Sequence, residues 1–164
     1  MGALEKARRL EIIKKAEIRH HSYVDLIGLL KALPVWFNKS GYFFFEKGLS
    51  EKDIGAGHEV ESEWTATKEV TRYVKFEFEI RILARDVRKV VLENGEEVYW
   101  SRLVIVLNGA LEKDYRKRFS SIWYEDLLRQ FYERYFFLDD MKKYIGKLIA
   151  ESVDLSTTMR SYLK

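Results

Sequence analysis

The sequence contains no cysteine, one proline and only four side-chain amides (Asn38, Asn94, Asn108 and Gln130) in 164 residues. Without thiols there is no disulfide framework, no nucleophilic cysteine and no thiolate zinc or iron–sulfur site. The longest run without a charge, Leu103 to Leu111, is nine residues, against the ~20 that a membrane-spanning helix needs. Charges at Glu5, Lys6, Arg8 and Arg9 interrupt any apolar core of a secretory signal. Net charge is only +3 and the signs are interspersed, so the chain lacks the dense basic tract that grips nucleic acid. Scarce amides and missing thiols beside abundant Lys and Glu are the composition expected in a hyperthermophile's cytoplasm.

What is present is apolar and aromatic: 47% of residues are hydrophobic, with ten Phe, ten Tyr and four Trp. That excludes a disordered chain and is enough for a sizeable core. Leu4, Ala7, Leu10 and Ile13 fall near one stripe, which predicts a short amphipathic helix over residues 3–15. Residues 16–23 alternate like a strand. Asp25 then caps a helix to about Asn38 with the stripe Leu26, Leu29, Leu30, Leu33 and Phe37, interrupted by Pro34. Ser40-Gly41 ends it, residues 42–45 read as a buried strand, and residues 47–57 as a glycine-containing loop.

Beyond the loop the period becomes two. Val60, Ser62, Trp64 and Ala66 face inward, as do Val74, Phe76, Phe78, Ile80 and Ile82, with a hairpin expected near Lys68-Glu69. Pairing numbers that sum to 138 would set Glu61 beside Glu77 and Glu59 beside Glu79, so a sum of 136, with Glu61 beside Lys75, is preferred. Asn94-Gly95 predicts a two-residue turn with numbers summing to 189, and broken parity at 85–88 predicts a bulge. Leu103 to Leu107 is apolar on both faces and should be covered on both.

Helical spacing returns at Ser120 or Ser121 and runs through Leu127, Phe131 and Tyr135 to about Phe137. Leu138, Met141, Ile145, Leu148, Ser152, Leu155, Met159 and Tyr162 continue in a three–four rhythm, the seam of a coiled coil. One helix over residues 120–162 would be about 65 Å long, against about 40 Å for a domain of this size, so a break is expected at Asp139-Asp140. The fold class is α+β: a curved antiparallel sheet of about five strands packed against helices, with long C-terminal helices. Residues 1–118 form the sheet domain and 119–164 a helical segment that packs on the sheet or mediates association.

Two likenesses follow from these residues. Tyr23-Val24-Asp25, Leu30, Trp36-Phe37, Gly41-Tyr42, Glu46-Lys47, Glu63-Trp64-Thr65-Ala66 and Val70 resemble uncharacterised archaeal proteins of similar length, over about residues 17–118. That likeness implies an archaeal source and no particular chemistry. The order of elements is similar to the helix-grip order of START and Bet v 1-like carriers, which implies a ligand pocket between helix and curved sheet. The chain departs from it in its few strands and its N-terminal helix.

No set of catalytic residues converges in the sequence. Gly55-Ala56-Gly57 lacks the third glycine and the following helix of a phosphate loop, and no Gly-x-Ser-x-Gly turn occurs. His20 and His21 point to opposite faces of a strand, although His58-Glu59 could join one of them at a metal. Glu59, Glu61 and Glu63 with Glu77 and Glu79 read as a solvated charged face, with a bound cation as the alternative. Basic residues near Tyr99-Trp100 and Trp123-Tyr124, within residues 1–21 and 112–118, are the nucleic-acid candidate. The sequence therefore predicts a non-enzymatic cytoplasmic protein without cofactor or metal. Its first reading is association, as a homo-oligomer or with a protein partner, through Leu138, Met141, Ile145, Leu148, Leu155 and Met159. Its second is a carrier of a hydrophobic small molecule, walled by Trp36, Trp64, Phe76 and Phe78. Weak nucleic-acid binding comes third, and a membrane is not expected.

Overall fold

The computed structural model describes residues 9–53, 55, 57–113, 127, 131 and 138–164, with Leu138 and Asp139 described in backbone alone. Five strands and two long helices are defined: β1 (Arg9–Val24), α1 (Leu26–Ser40), β2 (Phe43–Asp53), β3 (His58–Glu69), β4 (Val74–Val91), β5 (Glu97–Lys113) and α2 (Leu138–Arg160). The strands form one antiparallel sheet in the order β1-β5-β4-β3-β2, the α+β class that the sequence predicts. Among the described residues one long C-terminal helix, α2, is defined. The helix expected over residues 120–137 lies outside the described residues apart from Leu127 and Phe131, both helical and exposed.

β1 corrects the helix expected over residues 3–15, of which 3–8 lie outside the described residues. Leu10, Ile13, Ala16 and Ile18 pair with Leu111, Gly109, Leu107 and Ile105 on β5. Register shifts between Glu11 and Ile13 and between Ile13 and Ala16, with Lys15 at φ 47°, add residues to β1. Leu10, Ile13 and Ala16, which face successive inner positions of β5, are therefore spaced by three, and over that stretch a bulged strand reads like a helix. Where β1, β4 and β5 meet, Gly109 leaves room for Ile13 and Phe78: a Cβ there would lie 2.9 Å from Ile13 Cδ1.

α1 follows the sequence closely. Asp25 accepts a hydrogen bond from the Gly28 N–H at 3.0 Å, and Gly41 closes the helix in the left-handed region at φ 80°. Pro34 supplies no N–H to Leu30, yet the helix continues past it, because Leu29, Leu33, Trp36 and Phe37 are buried on both sides of the gap.

β2 corrects two expectations. The segment expected as a loop from residue 47 is strand as far as Asp53, and the strand is mostly exposed, with Phe43 at 75%. It is an edge strand, paired on one side with β3 and bulged between Glu46 and Gly48. The β3–β4 register sums to 144, as in Trp64 opposite Ile80, because β3 runs to Glu69 and residues 70–73 make the turn, where Thr71 Oγ1 accepts from Tyr73 N and Val74 N. Neither expected register forms, and no Glu faces Glu. The Asn-Gly turn is also one residue longer than expected. Leu92 N donates to Glu96 O, only Gly95 has positive φ, and Val90 pairs with Val98. This is the three-residue loop with a glycine bulge. The expected irregularity between Arg85 and Arg88 is present, with Asp86 at φ 54°.

The inner face of β3, β4 and β5 carries Trp64, Ala66, Phe76, Phe78, Ile80, Ile82, Leu103, Ile105 and Leu107, all buried. Leu29, Leu33, Trp36 and Phe37 of α1 and Leu148, Leu155 and Met159 of α2 join the same cluster. The chain end is stitched to the β1–α1 junction: Asp25 N donates to Tyr162 O and Lys164 N to Tyr23 O, both at 3.0 Å. Because α2 is part of the core, Leu148→Ala should cost about 2–5 kcal/mol of unfolding free energy, measured by chemical denaturation. A loss below ~1 kcal/mol would show that α2 is dispensable to the core.

Candidate ligand cleft

The aromatic residues expected to wall a pocket are packed against one another. Trp36 lies 5.7 Å from Tyr42 and 6.3 Å from Phe78, ring centre to ring centre, and Trp64 joins them through Phe37 at 6.5 Å. Phe76 is fully buried in the same cluster. Both indoles are anchored by polar partners. Trp36 Nε1 donates to Asp154 at 2.7 Å, and Trp64 Nε1 donates to Ser62 Oγ, which itself donates to Glu46. Trp36, Trp64, Phe76 and Phe78 thus form the middle of the core.

α2 is fastened to that core by two carboxylates outside its apolar seam, Glu151 and Asp154. Tyr42 Oη donates to Glu151 at 2.5 Å, and Lys68 Nζ donates to the other oxygen of Glu151 at 2.7 Å while lying 5.2 Å from the Tyr42 ring centre. Burial, reinforced by the hydrogen bond to Glu151 and its negative charge, pushes the Tyr42 phenol far above the usual tyrosine range. The association seam is occupied in the same packing. Leu148, Leu155 and Met159 are buried, Met141 and Ile145 pack against the core, and the Leu138 side chain lies outside the described residues.

The carboxylates of the outer face each meet a cation. Arg81 Nε lies 2.8 Å from Glu61 and 3.6 Å from Glu63; Arg85 stands 3.7 Å from Glu59; Arg9 reaches Glu77 at 2.8 Å and Glu79 at 3.9 Å. Among the described residues no three His, Cys, Asp or Glu side chains converge as a metal site, and no helix is long and apolar enough to cross a membrane. His20 contacts the Tyr23 carbonyl at 3.0 Å. Of the nucleic-acid candidates, Trp123, Tyr124 and residues 114–118 lie outside the described residues.

A cleft of about 710 Å³ lies elsewhere, between the start of α1 and the end of the sheet. Leu26, Ile27 and Leu30 form one wall, Leu49 and Val60 of the β2–β3 hairpin another, and Val87 and Tyr99 a third. Ile27 is 49% exposed and Leu49 61%. The rim carries Glu51, Asp53 and His58 on the hairpin and Arg88 and Lys89 on β4. A smaller cleft of about 410 Å³ separates α1 from α2 at Val35, Trp36, Thr158 and Tyr162. Sequence reasoning missed the larger site because five elements contribute to it. The one legible signal was Leu30, which belongs to the apolar stripe of α1 yet stays only partly buried.

Comparison with protein-family models, with curated proteins and with solved structures finds no match to this chain.

The Tyr42 geometry has a pH consequence. A phenol whose folded pKa lies above its unfolded value of 10.0 stabilises the fold below that value, and the stabilisation is lost as pH rises above it. Denaturation midpoints should therefore fall between pH 9.5 and about 11.5 more steeply in the parent protein than in Tyr42→Phe. Parallel profiles would contradict the assignment.

Proposed function

We propose that the protein binds an apolar small molecule in the cleft between α1 and the sheet and acts as its carrier. The observation that carries this reading is the cleft itself: about 710 Å³, open to solvent and walled by seven apolar or aromatic side chains from three directions. Ligand pockets have volumes of about 300–1,000 Å³, mostly apolar walls and a few polar groups at the edge. Leaving Ile27 and Leu49 exposed has a solvation cost that a ligand would relieve.

The order of elements supports the same class. From Arg9 onward the segment expected as an N-terminal helix, which set the chain apart from the helix-grip carriers, is a strand, and one helix follows β1 while α2 follows β5. The pocket lies apart from the aromatic wall expected from sequence: Phe76 and Phe78 are fully buried, Trp36 borders the smaller cleft between the helices, and Trp64 borders a polar cleft of about 380 Å³ beside Lys47 and Glu63. Association through the α2 seam is not proposed, because its central side chains are inside the core.

The test uses 1-aminoanthracene, a neutral fluorophore that brightens in apolar surroundings. Saturable binding of one probe per chain is expected, weakened at least about tenfold when Ile27→Glu and Leu49→Glu are combined, with the thermal midpoint unchanged. Unsaturable binding, or binding indifferent to the two substitutions, would overturn the reading.

A further inference from the structure

Resting on the carrier reading, we infer that the ligand is a single-chain amphiphile with a cationic amine head, and that Glu51 and Asp53 receive the head. The inference comes from the charges on the sheet face that the cleft occupies. Side chains alternate along β2, and its register with β3 sets Leu49 opposite Ser62, Glu51 opposite Val60 and Asp53 opposite His58. Leu49, Glu51 and Asp53 therefore share one face with Val60 and His58, and all five line the cleft. Ser50 and Lys52 belong to the other face, where Lys52 stands opposite Glu59. Among the described residues neither Glu51 nor Asp53 meets a cation.

The cations nearby do not cancel this charge. Lys89 shares the cleft's face through its pairing with Tyr99, but it lies 3.0 Å from Glu97. Arg88 pairs with Trp100 on the opposite face, and its guanidinium lies 5.9 Å from the centre of that ring. Arg85 stands 3.7 Å from Glu59, and Arg102 is paired with Asp86. The cleft's face thus keeps two uncompensated carboxylates in a chain whose net charge is +3. Attraction to the chain as a whole would favour an anion, so a preference for a cation has to arise at the cleft itself.

The spacing suits one ammonium. Two residues apart on one face of a strand, the Cβ atoms of Glu51 and Asp53 are about 7 Å apart, and the two carboxylates repel each other. An ammonium between them has three N–H donors, enough for one oxygen of each carboxylate and for an unprotonated His58 imidazole. Asp53 Oδ1 accepts from the Gly55 N–H at 2.9 Å, which leaves its other oxygen for the head. The tail then lies against Leu49 and Val60, beside Glu51, and against Leu30 and Val87 across the cleft. Among the described residues no three His, Cys, Asp or Glu side chains converge, so a bare metal ion lacks the ligands it needs. An organic cation adds the apolar contact of its tail.

Three ten-carbon probes of one tail separate the possibilities at pH 8: decylamine, decanol and decanoate, each displacing bound 1-aminoanthracene. Decylamine should displace at a concentration about threefold or more below that of decanol, the scale of two solvent-exposed ion pairs. Decanoate should need more than decanol. Glu51→Gln combined with Asp53→Asn should bring the ratio of decanol to decylamine near one, and Glu51→Gln alone should remove part of it. Both residues are exposed, and an asparagine oxygen can still accept from the Gly55 N–H, so the thermal midpoint should not change. Equal displacement by decylamine and decanol, strongest displacement by decanoate, or a ratio unaltered in the double variant would overturn the head-group assignment while leaving the carrier reading in place. Failure of every probe to displace, or of 1-aminoanthracene to bind, would remove both.

Discussion

A sheet with one apolar face has to be covered, and here the covering helices are shorter than the strands they cover. β4 has 18 residues, about 60 Å of extended chain. α1 has 15 residues and spans about 22 Å, and α2 with 23 spans about 35 Å. Side by side they bury the middle of the inner face, where Phe78, Ile80, Ile82 and Ile105 are shielded from water. The strand ends at the β2–β3 hairpin and at the β4 irregularity run on past the first turn of α1. The cleft is the remainder that α1 and α2 leave open among the described residues. Its apolar walls continue the core outward, so one hydrophobic pattern accounts for both the fold and the candidate site.

Polar contacts fix how the helices lie. Glu151 joins Tyr42 at the end of α1 to Lys68 near the end of β3, and Asp154 holds the Trp36 indole. Lys68 and Glu151 are both mostly shielded from solvent. Removing one partner of such a pair leaves a charge without compensation, which costs more than the intact pair contributes. Together with the backbone bonds from Asp25 N–H to the Tyr162 carbonyl and from Lys164 N–H to the Tyr23 carbonyl, these contacts set α1 at one position along the strands. That position determines how much of the sheet end stays open.

Much of this was legible in the sequence wherever one physical cause acted alone. The alternation in Trp64, Phe76, Phe78 and Ile80 has the period of a half-buried sheet and nothing competes with it. Asp25 and Gly41 act within a few residues, and both ends of α1 could be read from them. The second half of β1 and the start of β2 were legible as strands; the first half of β1 was not, because its added residues imitate helical spacing, nor was β2 beyond Phe45, because an edge strand need not be apolar. Registers were misplaced because the turns at 70–73 and 93–95 are longer than the shortest that the sequence permits. The seam of α2 was correctly apolar, but spacing alone does not say whether the covering surface belongs to the same chain. The cleft was hidden for a related reason: Leu30, Leu49, Val60, Val87 and Tyr99 lie far apart in sequence.

The central claim is that the sheet end beyond α1 is a binding cleft. Mapping amide chemical shifts during titration with decanol tests it most directly. The account predicts that the shifts concentrate at Ile27 and Leu30, at Leu49 and Val60, and at Val87 and Tyr99. Shifts centred on Val35, Thr158 and Tyr162 in the groove between the helices, or no saturable shifts at all, would contradict it.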